Sequence, residues 1–168
     1  MHLEEHKSDK SHRASASQFF VAGELCRRGL VAEITMGNCP NTDILVSDKC
    51  GTRFAHIQVK TFVPGIKTCS VGAKAEKPYG PNFFWILAGI SQKSCGLNEF
   101  FIIPAEVMAR EICKQHQLWL SKPGKNGQAH NETNVRTVFL PPHVSPLSDW
   151  TIEQYRNRWD LIEEVLTL

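Results

Sequence analysis

The chain has 168 residues, enough for one ordinary domain and too few for two. Apolar residues make up 42% and charged residues 21%, so a single core can be buried and wholesale disorder is excluded. A formal net charge of +2 gives no domain-wide basic signature, so any contact with nucleic acid has to come from a local patch.

Residues 1–14 read as a polar N-terminal arm carrying His2, His6 and His12. The rest, 15–168, reads as one domain, with a core over about 15–107 and a C-terminal extension over 108–168. Ser15-Ala-Ser-Gln18 fits a capping box, Phe19, Ala22, Cys26 and Leu30 follow at helical spacing, and Gly29 is a natural stop; a helix over about 16–28 is predicted. Leu30 to Thr35 is apolar and β-branched and reads as a first strand. A turn cluster over 37–41 separates it from a second strand, Thr42 to Ser47. Asp48-Lys-Cys-Gly51 is a hairpin turn, and Arg53 to Phe62 is a third strand. That strand alternates: Phe54, His56, Gln58, Lys60 and Phe62 face one way, Ala55, Ile57, Val59 and Thr61 the other.

Residues 63–82 are rich in Gly, Pro and Lys and read as a long loop of a kind that is often functional. Phe83 to Ile90 is a continuous apolar strand buried on both faces, and Glu99 to Ile103 is another strand. Pro104 opens a helix to about Gln117. A polar loop over 121–134 precedes a last strand, Val135 to Leu140. Thr151-Ile-Glu-Gln154 is a second capping box with Trp150 and Tyr155 as a hydrophobic staple. Tyr155, Trp159, Ile162 and Leu166 then form one apolar stripe of a closing helix. Trp119, Trp150 and Trp159 read as packing residues rather than base-stacking ones. The order of elements predicts a mixed α/β domain with a central mixed sheet flanked by helices.

Cys26, Cys39, Cys50, Cys69, Cys95 and Cys113 are irregularly spaced with no CxxC pair, which argues against a structural zinc site. No secretory apolar segment stands in MHLEEHKSDKSHR, and the longest apolar run is too short for a bilayer. A reducing, cytoplasmic setting without disulfides or membrane attachment is therefore expected.

One constellation carries chemistry. Phosphodiester hydrolysis needs an activated water and stabilisation of the charge that builds on phosphorus; Mg²⁺ supplies both when held by carboxylate, neutral oxygen and water, and a lysine beside the attacking water adds to it. Two paired strands can hold such groups rigidly. Asp43 opens the second strand, Gln58 and Lys60 share a face of the third, and the hairpin at 48–51 brings the strands together.

Asp43-Ile-Leu-Val followed by Ile57-Gln-Val-Lys60 resembles the signature of the PD-(D/E)xK nucleases, in a variant where Gln replaces the second acid. The resemblance covers the restriction-endonuclease-like, Holliday-junction-resolvase-like core. The strand ending FFIIP and the segment YRNRWDLI are similar to a group of homing endonucleases with this core. It implies a divalent-metal-dependent endonuclease that hydrolyses DNA, with RNA left open. The implied site is Glu24, Asp43, Gln58 and Lys60, with Asp43, Gln58 and Glu24 holding Mg²⁺ or Mn²⁺. Glu24 stands where many relatives carry a helix glutamate; its plain alternative is an ion pair with Arg28 at i+4. His56, one pleat step from Gln58, could assist, but reads rather as a packed or exposed histidine. Lys67, Lys74 and Lys77 in the first long loop, and Lys122 and Lys125 in the second, are candidate phosphate contacts, or else ordinary solvated lysines. A homodimer or higher homo-oligomer is expected, with the closing helix as a candidate interface. Because Gln58 replaces an acid, the alternative is a weak or inactive nuclease-fold module that binds nucleic acid or a protein partner. A small-molecule hydrolase is disfavoured, since GxSxG, P-loop and GxGxxG motifs are all missing.

Overall fold

The computed structural model describes residues 10–36, 39–93, 95–124 and 126–167. His2, His6, Lys125, most of the N-terminal arm and part of the 37–41 turn lie outside the described residues. The first helix, α1, spans Lys10–Arg27, so residues 10–14 continue it rather than forming an arm, and His12 lies in its first turn. Nothing between Lys10 and Ala14 breaks a helix. Ser17 lies inside the helix, where its hydroxyl donates to the Ala14 carbonyl at 2.7 Å and meets the Thr61 hydroxyl at 2.6 Å. The helix ends as its glycine predicts. Gly29 adopts φ 85°, its N–H donates to the Cys26 carbonyl, and the Leu30 N–H reaches back to Leu25, with Leu30 packed on the same core as Leu25.

The strands β1 (Val31–Ile34), β2 (Ile44–Ser47) and β3 (Phe54–Phe62) run antiparallel in turn. Between β2 and β3 the Asp48 carboxylate accepts from the Thr52 N–H and hydroxyl, each at 2.7 Å, and Gly51 takes φ 66°. Ile44 thereby faces Ile57, and Ser47 faces Phe54. Further along the chain, β5 (Phe83–Gly89) lies parallel to β3, and β6 (Glu99–Pro104) antiparallel to β5, giving the order β1-β2-β3-β5-β6. All seven residues of β5 are buried, as its unbroken apolar run predicts.

The 63–82 segment is not a plain loop. It contains β4 (Thr68–Ser70), which pairs antiparallel with β7 (Thr137–Phe139), and a 3₁₀ turn, Ala73–Glu76. Cys69, Val71 and Ala75 are buried, which anchors the segment on the sheet. The helix α2 runs over Ala105–Ser121. The closing helix α3 spans only Asp160–Thr167. The capping box at Thr151 starts no more than the 3₁₀ turn Glu153–Tyr155, because Arg156 is extended and Asn157 has φ 54°.

The sheet separates two cores. On one face α1 and α3 pack Val21, Leu25, Trp159, Ile162 and Leu166 against Ile44, Ile57, Phe84 and Ile86. On the other, α2 and the small sheet pack Cys69, Met108, Ile112 and Val138 against Phe62, Phe83, Trp85, Phe101 and Ile103. Tyr155 borders this second core, so it does not share a stripe with Trp159. Ile162 and Leu166 are 0% and 3% exposed, so the apolar side of α3 is occupied within the chain and is not an open interface. The result is a mixed α/β domain whose five-stranded mixed sheet is flanked by helices. Among the described residues, no helix is long and apolar enough to cross a membrane.

A tight junction lies between β3 and β5. Gly89 faces Phe62, and a Cβ on Gly89 would fall 2.6 Å from that buried ring, which is itself tilted against Phe101. Gly89→Ala should therefore lower stability by about 1–3 kcal/mol through overpacking. Urea unfolding checks this: a reduced midpoint with an unchanged slope is expected.

Candidate functional site

Cross-strand partners point to the same face of a sheet, and residues two apart on a strand do likewise. Since Ile44 faces Ile57, Asp43 stands opposite Gln58, and Lys60 follows on the same face. The Asp43 backbone is fixed on both sides: its N–H donates to the Ile57 carbonyl at 2.8 Å, and its carbonyl accepts from Thr35 N–H at 2.9 Å. Its Oδ2 accepts from the Val59 N–H at 2.7 Å and from the Gln58 amide nitrogen. An ionised carboxylate can only accept, so it turns the NH₂ of Gln58 toward itself. The Gln58 amide oxygen and Asp43 Oδ1 have no hydrogen bond to the described residues.

Lys60 lies half-buried on this face, with its ammonium 5.9 Å from the centre of the Trp85 ring. Burial raises the pKa of the half-buried Asp43 carboxyl; the Val59 N–H, the charge of Lys60, the Gln58 hydrogen bond and the charge of Lys74 oppose that rise without cancelling it. Lys74, on the 3₁₀ turn, is thus brought into electrostatic reach of Asp43 by the segment that crosses this face. Cys69 lies nearby but is no nucleophile: burial pushes its thiol up to about 12, against a weaker opposing pull from Lys60. All six cysteines are free, with Cys26, Cys39, Cys50 and Cys95 exposed. His56 is packed, stacked on Phe83 and in contact with the Thr42 hydroxyl at 3.2 Å.

Glu24 does not join this group. It belongs to α1, on the opposite face of the sheet. Its carboxylate takes a forked pair of 2.8 Å hydrogen bonds from Arg27 and a third from Arg28, which continues to Glu163. These bonds, led by Arg27, hold the Glu24 carboxyl below the usual range. Of the candidate phosphate contacts, Lys67, Lys74, Lys77 and Lys122 are exposed, and the Lys67 ammonium sits 5.6 Å from the Phe139 ring centre.

Among the described residues, no three His, Cys, Asp or Glu side chains gather to hold a metal. Asp43 and Gln58 nevertheless form a donor set that suits Mg²⁺, which binds through one or two carboxylates and keeps water or substrate phosphate in its other positions. The buried charge of Asp43, still uncompensated with Lys60 and Lys74 nearby, is the feature that a cation would relieve.

Sequence reasoning missed a second group. Trp119 does not pack into either core; with Gln115 and Arg136 it lines a cavity beside α2. The signal available was the polar Gln115 on the face shared by Ile112 and Trp119, in a helix that runs four residues past Gln117.

Comparison with known proteins agrees with this architecture. The chain shares its fold with a bacterial homing endonuclease. The two structures superpose with a TM-score of 0.55 over 95% of each chain, at 14% sequence identity. No family model matches the chain, and no curated protein does.

The raised pKa of Asp43 has a consequence for stability. A carboxyl whose pKa is higher folded than unfolded holds its proton more tightly in the folded state. Its ionisation therefore costs nothing below the ordinary carboxylate pKa, lowers stability as pH rises through the interval between the two values, and leaves a constant cost above it. Asp43→Asn should be more stable than wild type at neutral pH without divalent ions, the difference vanishing below about pH 3–4. Mg²⁺ or Mn²⁺ should raise the melting temperature of wild type and leave that of Asp43→Asn unmoved, since only the former offers an anionic ligand. Thermal unfolding across pH, with and without metal, reads both effects.

Proposed function

We propose that the chain is a divalent-metal-dependent endonuclease of the PD-(D/E)xK type, acting on DNA with Asp43, Gln58 and Lys60 as its reaction centre. The observation that supports this best is the bonded Asp43–Gln58 pair with Lys60 two residues on, on one face of the sheet, in a fold shared with a homing endonuclease. Metal duty falls to Asp43 and Gln58, and none is assigned to Glu24.

Bound Mg²⁺ or Mn²⁺ would supply Lewis-acid polarisation of the scissile phosphate and a more acidic water. Asp43 offers the anionic oxygen for it, and Gln58 a neutral one. The same Gln58 amide holds Asp43 in its rotamer through its nitrogen, and its oxygen takes no hydrogen bond from the described residues. A glutamate at position 58 would set two carboxylates against each other in the absence of metal, whereas the amide links them. Lys60, steadied against Trp85, holds a positive charge beside Asp43, where it can orient the attacking water and offset charge on the phosphate. Lys74 adds a second cation at the approach, and Lys67, Lys77 and Lys122 extend the positive surface for the phosphate backbone. A single domain that cuts both strands of a duplex usually pairs with a copy of itself, so a second copy of the chain is part of this reading.

The test is cleavage of duplex, nicked and branched DNA, with RNA alongside, in Mg²⁺ or Mn²⁺. Wild type should cut, and excess chelator should stop it. Asp43→Ala should abolish cleavage with the fold intact, and Lys60→Ala should slow turnover by about 10²–10⁴-fold. Full activity in Asp43→Ala would remove the metal centre from the mechanism. A wild type inert on every substrate, with activity appearing in Gln58→Glu, would identify a non-cutting module instead.

A further inference from the structure

Away from the reaction centre, α2, the β7 segment and residues 145–147 enclose a cavity of about 490 Å³, a volume in the range of small-molecule sites. Its deep wall is formed by Ile112, Gln115 and Arg136, all more than nine-tenths buried, and its rim by exposed Thr133 and Val135. Two polar groups in that wall differ in kind. Arg136 is fully engaged: it donates to Glu76 at 2.5 Å, to Glu132 at 3.0 Å and to the Thr133 and Val135 carbonyls. Gln115 is only 8% exposed, and its amide has no hydrogen-bond partner among the described residues. Neither amide atom is sealed from solvent, so the donors and the acceptor of Gln115 are available to a ligand in the cavity it lines.

The surroundings narrow the ligand. Glu76 and Glu132 neutralise Arg136, so the cavity holds no spare positive charge for a phosphate or carboxylate. The remaining lining combines Phe139, Pro146, Leu147 and the Trp119 indole, stacked on His130 with ring centres 3.9 Å apart, with Thr137, His116, which is bonded to Glu132, and Ser145, whose hydroxyl accepts from the Leu147 N–H. An uncharged, planar, heteroaromatic molecule with a hydrogen-bond donor beside an acceptor on one edge fits this lining. Adenine has that edge, and glutamine pairs with it in bidentate fashion.

We propose that this cavity binds an adenine-like nucleobase, with Gln115 reading its edge and Trp119 as an aromatic wall. The base comes from a free nucleoside or from DNA, swung out of the stack as in enzymes that flip bases. The second source rests on the endonuclease reading. It has a structural link: Glu76, which anchors Arg136, lies on the same 3₁₀ turn as Lys74, which acts on Asp43.

The experiment has two arms. In the first, adenosine is titrated into wild type and Gln115→Leu, followed by ligand-observed NMR and tryptophan fluorescence. Wild type should bind, and Gln115→Leu should bind about tenfold more weakly or worse. Gln115→Glu, which keeps the size and loses the amide donors, serves as the second variant, and thermal unfolding checks that both fold. Indole binding as well as adenosine does, or adenosine binding unchanged in both variants, would overturn the assignment. In the second arm, duplexes carry 2-aminopurine beside successive adenines, where it brightens when its neighbour leaves the stack; chelator is present so that nothing is cut. Brightening at one position that Gln115→Leu loses identifies DNA as the source, and adenosine binding with no brightening identifies a free nucleoside. A protein that cuts DNA yet responds in neither arm sinks the cavity proposal alone. One that takes adenosine but neither binds nor cuts DNA sinks the endonuclease reading alone.

Discussion

The candidate site depends on the pairing of Ile44 with Ile57. Side chains on a strand alternate, so a slip of one residue between β2 and β3 would send Gln58 and Lys60 into the core under α1 and turn Ile57 and Val59 outward. Two features make that slip expensive. The Asp48 carboxylate closes the hairpin by binding Thr52 twice, and Ile44, Val46, Ala55 and Ile57 are all completely buried. The register then delivers the Val59 N–H to the Asp43 carboxylate without any further adjustment. Packing on one side of the sheet thus sets polar geometry on the other.

That division of labour extends to the whole molecule. The face under α1 and α3 is uniformly apolar apart from the Ser17–Thr61 contact, and its charged groups, Glu24, Arg28 and Glu163, form an exposed network at the margin. The opposite face carries both the second core and the polar groups, because the segment holding β4 and the 3₁₀ turn covers only part of it. Asp43 and Lys60 sit half-buried at this boundary. Their charges act on one another through a medium that screens less than water does.

How much could be read from the sequence varied with the range of the signal. The alternation of Phe54 to Phe62, the turn at 48–51 and the unbroken apolar run of β5 are local patterns, and each produced the element it predicted. The strands β4 and β7 have three residues each and pair at a sequence separation of 69, Cys69 with Val138, so neither carries a usable period. The start of α3 departs from the expected place because a capping box is a statement about four residues, and here Asn157 breaks the chain direction just beyond it. Glu24 was compatible with two roles, metal ligand or partner of Arg28; the outcome turned on which side of the sheet α1 covers, a tertiary fact. The cavity lined by Gln115 and Trp119 was invisible for the same reason, since its walls come from three separated segments.

The distribution of thiols bears on how the molecule behaves outside a reducing environment. Cys69, next to the candidate site, ionises so reluctantly that alkylating agents and peroxide have little purchase on it. Cys26, Cys39, Cys50 and Cys95 are exposed free thiols, so air oxidation can tie one copy to another through any of them. Covalent ladders formed in this way would mimic self-association on a sizing column, and would collapse on adding dithiothreitol, whereas assembly through packed surfaces would not.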